Sequence, residues 1–262
     1  MDREAVGEIA RGIGRREGAH IITLVPNLHA YEDFLALKLG PEEYNHTLGI
    51  FFSVVEAHNR ANLGRSISET VAEYRGIVKD AAFRKIRVVA TLSAAFGYRE
   101  PGKGEVVRAN TGTINGYITL LFEWGARTVG LSDLQGVAGG QETREILERI
   151  LELRKGADLE SLVYHPHHVS EAQALANSRV AFDLGIRRFD ASLGGTGGCV
   201  TGAPGNQPTE GLVRLFHGQG IETGLDQKKI LDLARMVQED LYRKIPLDPP
   251  LEKGDDQRRS TH

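Results

Sequence analysis

Six short runs of apolar, largely β-branched residues recur along this chain: IITLVPN (21–27), LGIFFSVV (48–55), IRVVATLS (86–93), TVGLSD (128–133), ESLVYHPH (160–167) and RFDASLGG (188–195). Most are continuously apolar instead of alternating, the pattern of strands buried on both faces of a parallel sheet. The segments between them carry helical periodicity. SISETVAEYRGIVKDAAF opens with Ser66 and has Glu69 three residues on, a capping-box spacing. Residues 105–124, 140–156 and 171–185 read as further helices, as do about 208–218 and 226–243 after the last strand, and the chain opens on a helix over 2–16. Strand and helix alternate without a break in composition, which predicts a single α/β domain over residues 1–245. The remainder, 246–262, is polar and proline-rich and reads as a loose tail.

Bulk properties exclude several classes of function. A net charge of −3 gives no basis for a nucleic-acid or anionic-membrane partner. No apolar run reaches the roughly 18 residues a membrane helix requires, and the charged opening MDREAVGEIARGIGRREG has no signal-peptide core. A single cysteine, Cys199, cannot form an internal disulfide, which predicts a reducing, cytoplasmic setting.

Polar residues gather at the downstream ends of the strands: Asn27, Glu56, Ser93, Asp133, the histidines and a glycine loop. A (β/α)₈ barrel places its active site there, and an open doubly wound sheet also binds ligands at strand C-termini. Six strands fall two short of a barrel. Within VYHPHHVS (163–170), Pro166 cannot donate a ladder hydrogen bond, so regular pairing stops nearby. On an extended backbone His165 and His167 share one face. They are either a two-histidine metal clip or a hydrogen-bonded, partly exposed pair.

The next strand runs into DASLGGTGGCVTGAPGNQPTEGLV (190–213), where glycines 194, 195, 197 and 198 permit a close backbone approach. The spacing is not the G-x-G-x-x-G of a dinucleotide loop. TGGC, GN and TE follow one another as in the cysteine loop of 3-hydroxy-3-methylglutaryl-CoA lyases, which this chain resembles over most of residues 20–243. VPNLHAYEDFLAL, ANLGRSISET, SAAFGYREPGKG, LSDLQGVAGG and QALAN are similar to further segments of that family, in the same order.

The resemblance implies a TIM-type barrel and a retro-Claisen cleavage. A Mg²⁺ or Mn²⁺ ion would bind the hydroxyl and carboxylate oxygens of an acyl-CoA substrate, giving acetyl-CoA and acetoacetate. By analogy His165, His167 and Asn206 would hold the metal. Cys199 would be the general acid, and Asp133 would assist proton movement. Asn27, Ser93, Gly197, Gly198 and Glu210 would contact substrate, and the family suggests a homodimer. Plainer roles stand beside these: a small buried residue for Cys199, a turn or cap for Asp133, and a turn residue for Asn206. Counting back from QALAN without a gap puts His168 in place of His167; a one-residue insertion restores His165 and His167. The stretch from Cys199 to Asn206 is about two residues shorter than the family's. The family's first two strands, with an Arg-Asp pair on the first, have no counterpart. The expectation is therefore a barrel of about six βα units, truncated at its N-terminus. A misplaced start, a complementing partner or lost activity would each produce that pattern. A related aldolase or acyl-CoA-condensing synthase is the alternative activity, and a non-catalytic homologue the alternative role.

Overall fold

Each of the six apolar runs forms a strand, and the strands lie side by side in chain order. The computed structural model describes residues 3–39, 45–154, 157–167, 169–198 and 205–240. Its elements are α1 (Arg3–Ile13), β1 (Ile21–Leu24), α2 (Leu28–Ala36), β2 (His46–Ser53), α3 (Glu56–Leu63), α4 (Ile67–Phe83) and β3 (Arg87–Ser93). Next come β4 (Tyr98–Arg99), β5 (Val106–Val107), α5 (Thr111–Trp124), β6 (Thr128–Asp133), α6 (Gly140–Leu151) and the one-turn α7 (Ala157–Glu160). The chain continues with β7 (Leu162–Pro166), α8 (Glu171–Asp183), β8 (Arg188–Phe189), α9 (Thr209–His217) and α10 (Gln227–Asp240). The main sheet has the order β1-β2-β3-β6-β7-β8 and is parallel throughout, so each crossover passes through helix as βα repetition requires. β1 and β8 are its two edges, so among the described residues the sheet is an open, barrel-like wall of six strands and does not close on itself.

Local signals account for the helix boundaries. Ser66 caps α4 by accepting from the Glu69 N–H, while the Glu69 carboxylate accepts from the Ser66 N–H, completing the expected capping box. Asn27 caps α2 and Asn110 caps α5. Three differences from expectation stand out. Helices α2 and α3 were not predicted, because each is short and follows its strand after only a few residues. The helix expected from residue 105 starts at 111 instead. Val106 and Val107 form β5, an antiparallel hairpin with β4 that Gln135 holds through both backbone groups of Arg99 (2.7 and 3.1 Å).

Burial is more one-sided than the apolar runs suggested. β2 and β6 are buried nearly throughout, but β3 and β7 alternate. The helix-facing residues, among them Val88, Leu92, Leu131 and Tyr164, are fully buried in one continuous core. Their neighbours face the concave side, which opens into a cavity of about 480 Å³ reaching from Ile22 to Asn206. That side is only partly covered because the sheet does not curl round to meet itself. On it, Gly49 makes room for the edge strand. A side-chain carbon there would come within 2.8 Å of Ile22 and 3.0 Å of Leu24.

The adjacent valines of β3 test this asymmetry. Val88→Ala, on the buried face, should cost about 2 kcal/mol of stability. Val89→Ala, on the concave face, should cost under about 1 kcal/mol. Urea denaturation of the two variants measures both; equal losses would mean that the concave side is covered.

Candidate active site

The concave cavity collects its polar groups at the C-terminal ends of β6, β7 and β8, and strand alternation decides which groups reach it. On β7, Tyr164 turns outward into the core, packed edge-on against Phe96 and Phe189 (centroids 5.4 and 6.4 Å apart). His165 therefore faces the cavity, and so does His167 two residues on. Their Nε2 atoms converge to 3.2 Å. The pair expected on one face is brought together, with Pro166 turned to the other side.

Backbone pairing holds this end of the strand in place. The His167 N–H donates to the Asp133 carbonyl (3.1 Å), and the Gln207 N–H donates to the Pro166 carbonyl (3.2 Å). Residues 206 and 167 form an antiparallel bridge, which brings Asn206 beside the histidines from the far side of the glycine loop. The Asn206 amide nitrogen donates to the Thr196 carbonyl (2.9 Å), so its oxygen is the atom left to act as a ligand. Gly197, at φ +90°, is needed for this approach: a side-chain carbon there would lie 2.7 Å from that nitrogen. Gly198 sits on the cavity rim. Glu210, expected to contact substrate, accepts from the Gly194 N–H (3.1 Å) and so anchors the loop.

Other expected residues lie elsewhere. Asn27 is exposed and accepts from the Ala30 N–H as the cap of α2, away from the cavity. Ser93 ends β3 on the concave face and lines the cavity. Asp133 is 1% exposed and shares the helix-facing side with Pro166 and Tyr164. Its carboxylate accepts from the N–H groups of Val137 and Ala138 (3.0 and 3.2 Å), the turn role considered for it, and it is not brought to the histidines. Burial pushes its pKa up to about 6, although those backbone donors pull the other way. Cys199 and His168 lie outside the described residues.

Two cavity residues were missed. Asp190, one residue beyond β8, brings its Oδ2 to 2.9 Å from His165 Nδ1. A polar residue closing the RFD run was the available signal. His58 on α3 is 1% exposed, lines the cavity and packs on Tyr98 at 4.9 Å, with burial pushing its pKa down to about 4. No periodicity marks it.

The donor set can be compared with what a divalent ion requires. Among the described residues, no three His, Cys, Asp or Glu side chains converge on one point. The set is two imidazoles and one amide oxygen. Two nitrogens about 2.1 Å from one ion and at right angles stand about 3.0 Å apart. The observed 3.2 Å is compatible with that geometry and is equally the length of a hydrogen bond between the two rings.

The family model described as HMGL-like matches residues 2–237. The chain belongs to the HMGL-like family. Hydroxymethylglutaryl-CoA lyase YngG of Bacillus subtilis is 31% identical over 93% of this chain and 77% of its own length. A cytoplasmic 3-hydroxy-3-methylglutaryl-CoA lyase of Danio rerio is 32% identical over 90% of the chain and 67% of its own length. The crystal structure of the B. subtilis HMG-CoA lyase superposes with a TM-score of 0.78 at 28% identity, covering 92% of this chain and 77% of that one. An HMG-CoA lyase from Acinetobacter baumannii, solved with coenzyme A and 3-methylmalate, gives 0.76 at 26% identity over 94% and 79%. These relatives are hydroxymethylglutaryl-CoA lyases, the chain is a carbon–carbon lyase of the same family, and its six parallel strands with their helices superpose on that fold. No helix among the described residues is long and apolar enough to cross a membrane.

Asp133 gives a pH test of the site's surroundings. Its folded carboxyl holds a proton more tightly than an unfolded one, so its contribution to stability is present below about pH 4 and is lost as pH rises through about 6. Denaturant unfolding from pH 4 to 8 should show this fall, and Asp133→Asn should flatten it. Carbon NMR of the carboxyl should titrate near 6; a midpoint near 4 would place the group in water.

Proposed function

We propose that this chain is a divalent-metal-dependent carbon–carbon lyase that cleaves 3-hydroxy-3-methylglutaryl-CoA, or a related 3-hydroxyacyl-CoA, to acetyl-CoA and acetoacetate. The observation that carries this reading is the convergence of His165 and His167, with Asn206 beside them, at the C-terminal end of a parallel sheet. Membership of the HMGL-like family supports it, as does a relative solved with coenzyme A and 3-methylmalate.

His165, His167 and the Asn206 oxygen would hold Mg²⁺ or Mn²⁺. Two nitrogen donors in three favour Mn²⁺ over the harder Mg²⁺. Bound there, the ion supplies Lewis acidity toward the substrate's hydroxyl and carboxylate oxygens. The chain's own groups bind and orient. A cavity of about 480 Å³ is large enough for an acyl unit of this kind. Ser93 and His58 form its polar wall on the side of β3 and α3. His58 is neutral at physiological pH, because burial disfavours its charged form, and it acts as a hydrogen-bonding group and not as a cation. Gly197 and Gly198 bring the loop backbone to the rim, and Glu210 pins that loop through Gly194. Cys199, carried by the same loop, is the general acid of this proposal and delivers a proton to the carbon released by bond cleavage. Asp133 holds the 136–138 turn and, through its carbonyl, the end of β7.

Incubating the purified chain with 3-hydroxy-3-methylglutaryl-CoA and Mn²⁺ should release acetoacetate and acetyl-CoA. His167→Ala should lower kcat/KM by about 10²-fold or more. Condensation or aldol products from 2-oxo acids, with no acetoacetate, would instead assign the chain to a synthase or aldolase. Cys199→Ser should lower kcat by about 10²-fold with little change in substrate affinity. An unchanged kcat would remove the thiol from the reaction.

A further inference from the structure

We infer that Asp190 is a positioning residue for His165: its carboxylate fixes the imidazole tautomer and ring angle that leave Nε2 as a lone-pair donor toward His167. The inference rests on the metal-dependent reading above and goes beyond it, since Asp190 contacts no proposed substrate or metal atom.

Strand register brings the two side chains together. Tyr164 pairs with Phe189 across β7 and β8, and the Asp190 N–H continues the ladder by donating to the Tyr164 carbonyl (3.0 Å). The next residues of the two strands, His165 and Asp190, therefore stand side by side on the concave face. Their side chains meet with His165 Nδ1 2.9 Å from Asp190 Oδ2. An ionised carboxylate only accepts hydrogen bonds, so the shared hydrogen belongs to Nδ1. A neutral imidazole carries one ring hydrogen, so Nε2 is then bare. It is Nε2 that lies 3.2 Å from His167 Nε2, where the two donors converge. With the hydrogen on Nε2 instead, His165 would present an N–H to any cation and repel it.

Two further observations give Asp190 this role. β8 is only two residues long and is an edge, so a carboxylate at its end would wander unless the chain beyond were tied down. It is tied down: the Ser192 N–H donates to the Gln207 carbonyl (3.0 Å), and the Thr209 N–H donates to the Ser192 carbonyl (2.9 Å). In addition, no lysine or arginine among the described residues pairs with Asp190; its carboxylate meets the His165 ring instead. The Asp190 side chain is 49% exposed, so the pair contributes little to stability and its removal should not unfold the chain.

The test combines metal binding, ring protonation and a double-mutant cycle on the purified full chain. Mn²⁺ titration followed by electron paramagnetic resonance should show binding that Asp190→Ala weakens about 10- to 100-fold. Thermal unfolding without metal should be unchanged. Nitrogen NMR of His165 in metal-free protein should show hydrogen on Nδ1 in the native chain and lose that preference in Asp190→Ala. Asp190→Asn, whose amide either accepts from Nδ1 or donates to it, should fall between. In the cycle, Asp190→Ala should add little once His165→Ala is present, because Asp190 acts through that ring. Native-like Mn²⁺ affinity in Asp190→Ala would overturn the inference while leaving the metal site standing. Additive losses in the double variant would also overturn it. Absence of Mn²⁺ binding by the native chain would overturn the metal reading itself, and this inference with it.

Discussion

An unbroken run of five parallel ladders, in chain order from β1 to β8, is the constraint on which the rest of this structure depends. A parallel sheet presents all its strand C-termini on one rim, so residues scattered over more than a hundred positions of sequence meet at one mouth. Register does the finer work, because side chains alternate and a slip of one residue would turn every group to the other face. With Val163 set against Arg188 and Tyr164 against Phe189, the next pair is His165 and Asp190 on the concave side. With Ser132 set against His165, the next pair is Asp133 and Pro166 on the helix side. The converging histidine pair and the buried aspartate are thus two outcomes of the same pairing.

The open curvature of the sheet explains how stability and site divide between its faces. Large apolar side chains on the convex face interlock with the helices and supply the hydrophobic stabilisation. The concave face carries smaller or polar residues such as Gly49, Thr91, Gly130 and Ser132, with Ile22 and Leu24 of the edge strand leaning over Gly49. Ile22 and Leu24 remain 52% and 63% exposed, as expected for side chains on an edge strand. A cavity of about 480 Å³ follows directly from leaving this side unpacked.

At the mouth, function and fold share the same short segment. The return of residues 205–208 along the end of β7 makes a miniature sheet extension. It brings Asn206 to the histidines, and the Gly194 to Gly198 path is shaped around it by Glu210 and Thr196. Much of the glycine loop is therefore anchored, and its anchoring points are backbone groups. Anchoring of this kind keeps Asn206 in fixed relation to the two imidazoles.

The sequence by itself determined the six strands, their order, the long helices and the capping box at Ser66, because continuous apolar runs and helical periodicity are local signals. It also located the histidines and the glycine loop, since Pro166 and four clustered glycines mark a strand end and a close backbone approach. It misjudged the start of α5, where Val106 and Val107 extend an apolar pattern but pair with Tyr98 and Arg99 instead, and it passed over α2 and α3, which are too short for a periodic signal. Only the tertiary structure decided which way Asp133 faces: a strand apolar on both sides has no alternation to read, and its face is set by pairing with β7. The same holds for Asp190 and His58, whose roles come from a neighbouring strand and from burial. Neighbours along the chain write the strands and helices; neighbours across the sheet choose the site, because a side chain's partner there depends on register that no single segment contains.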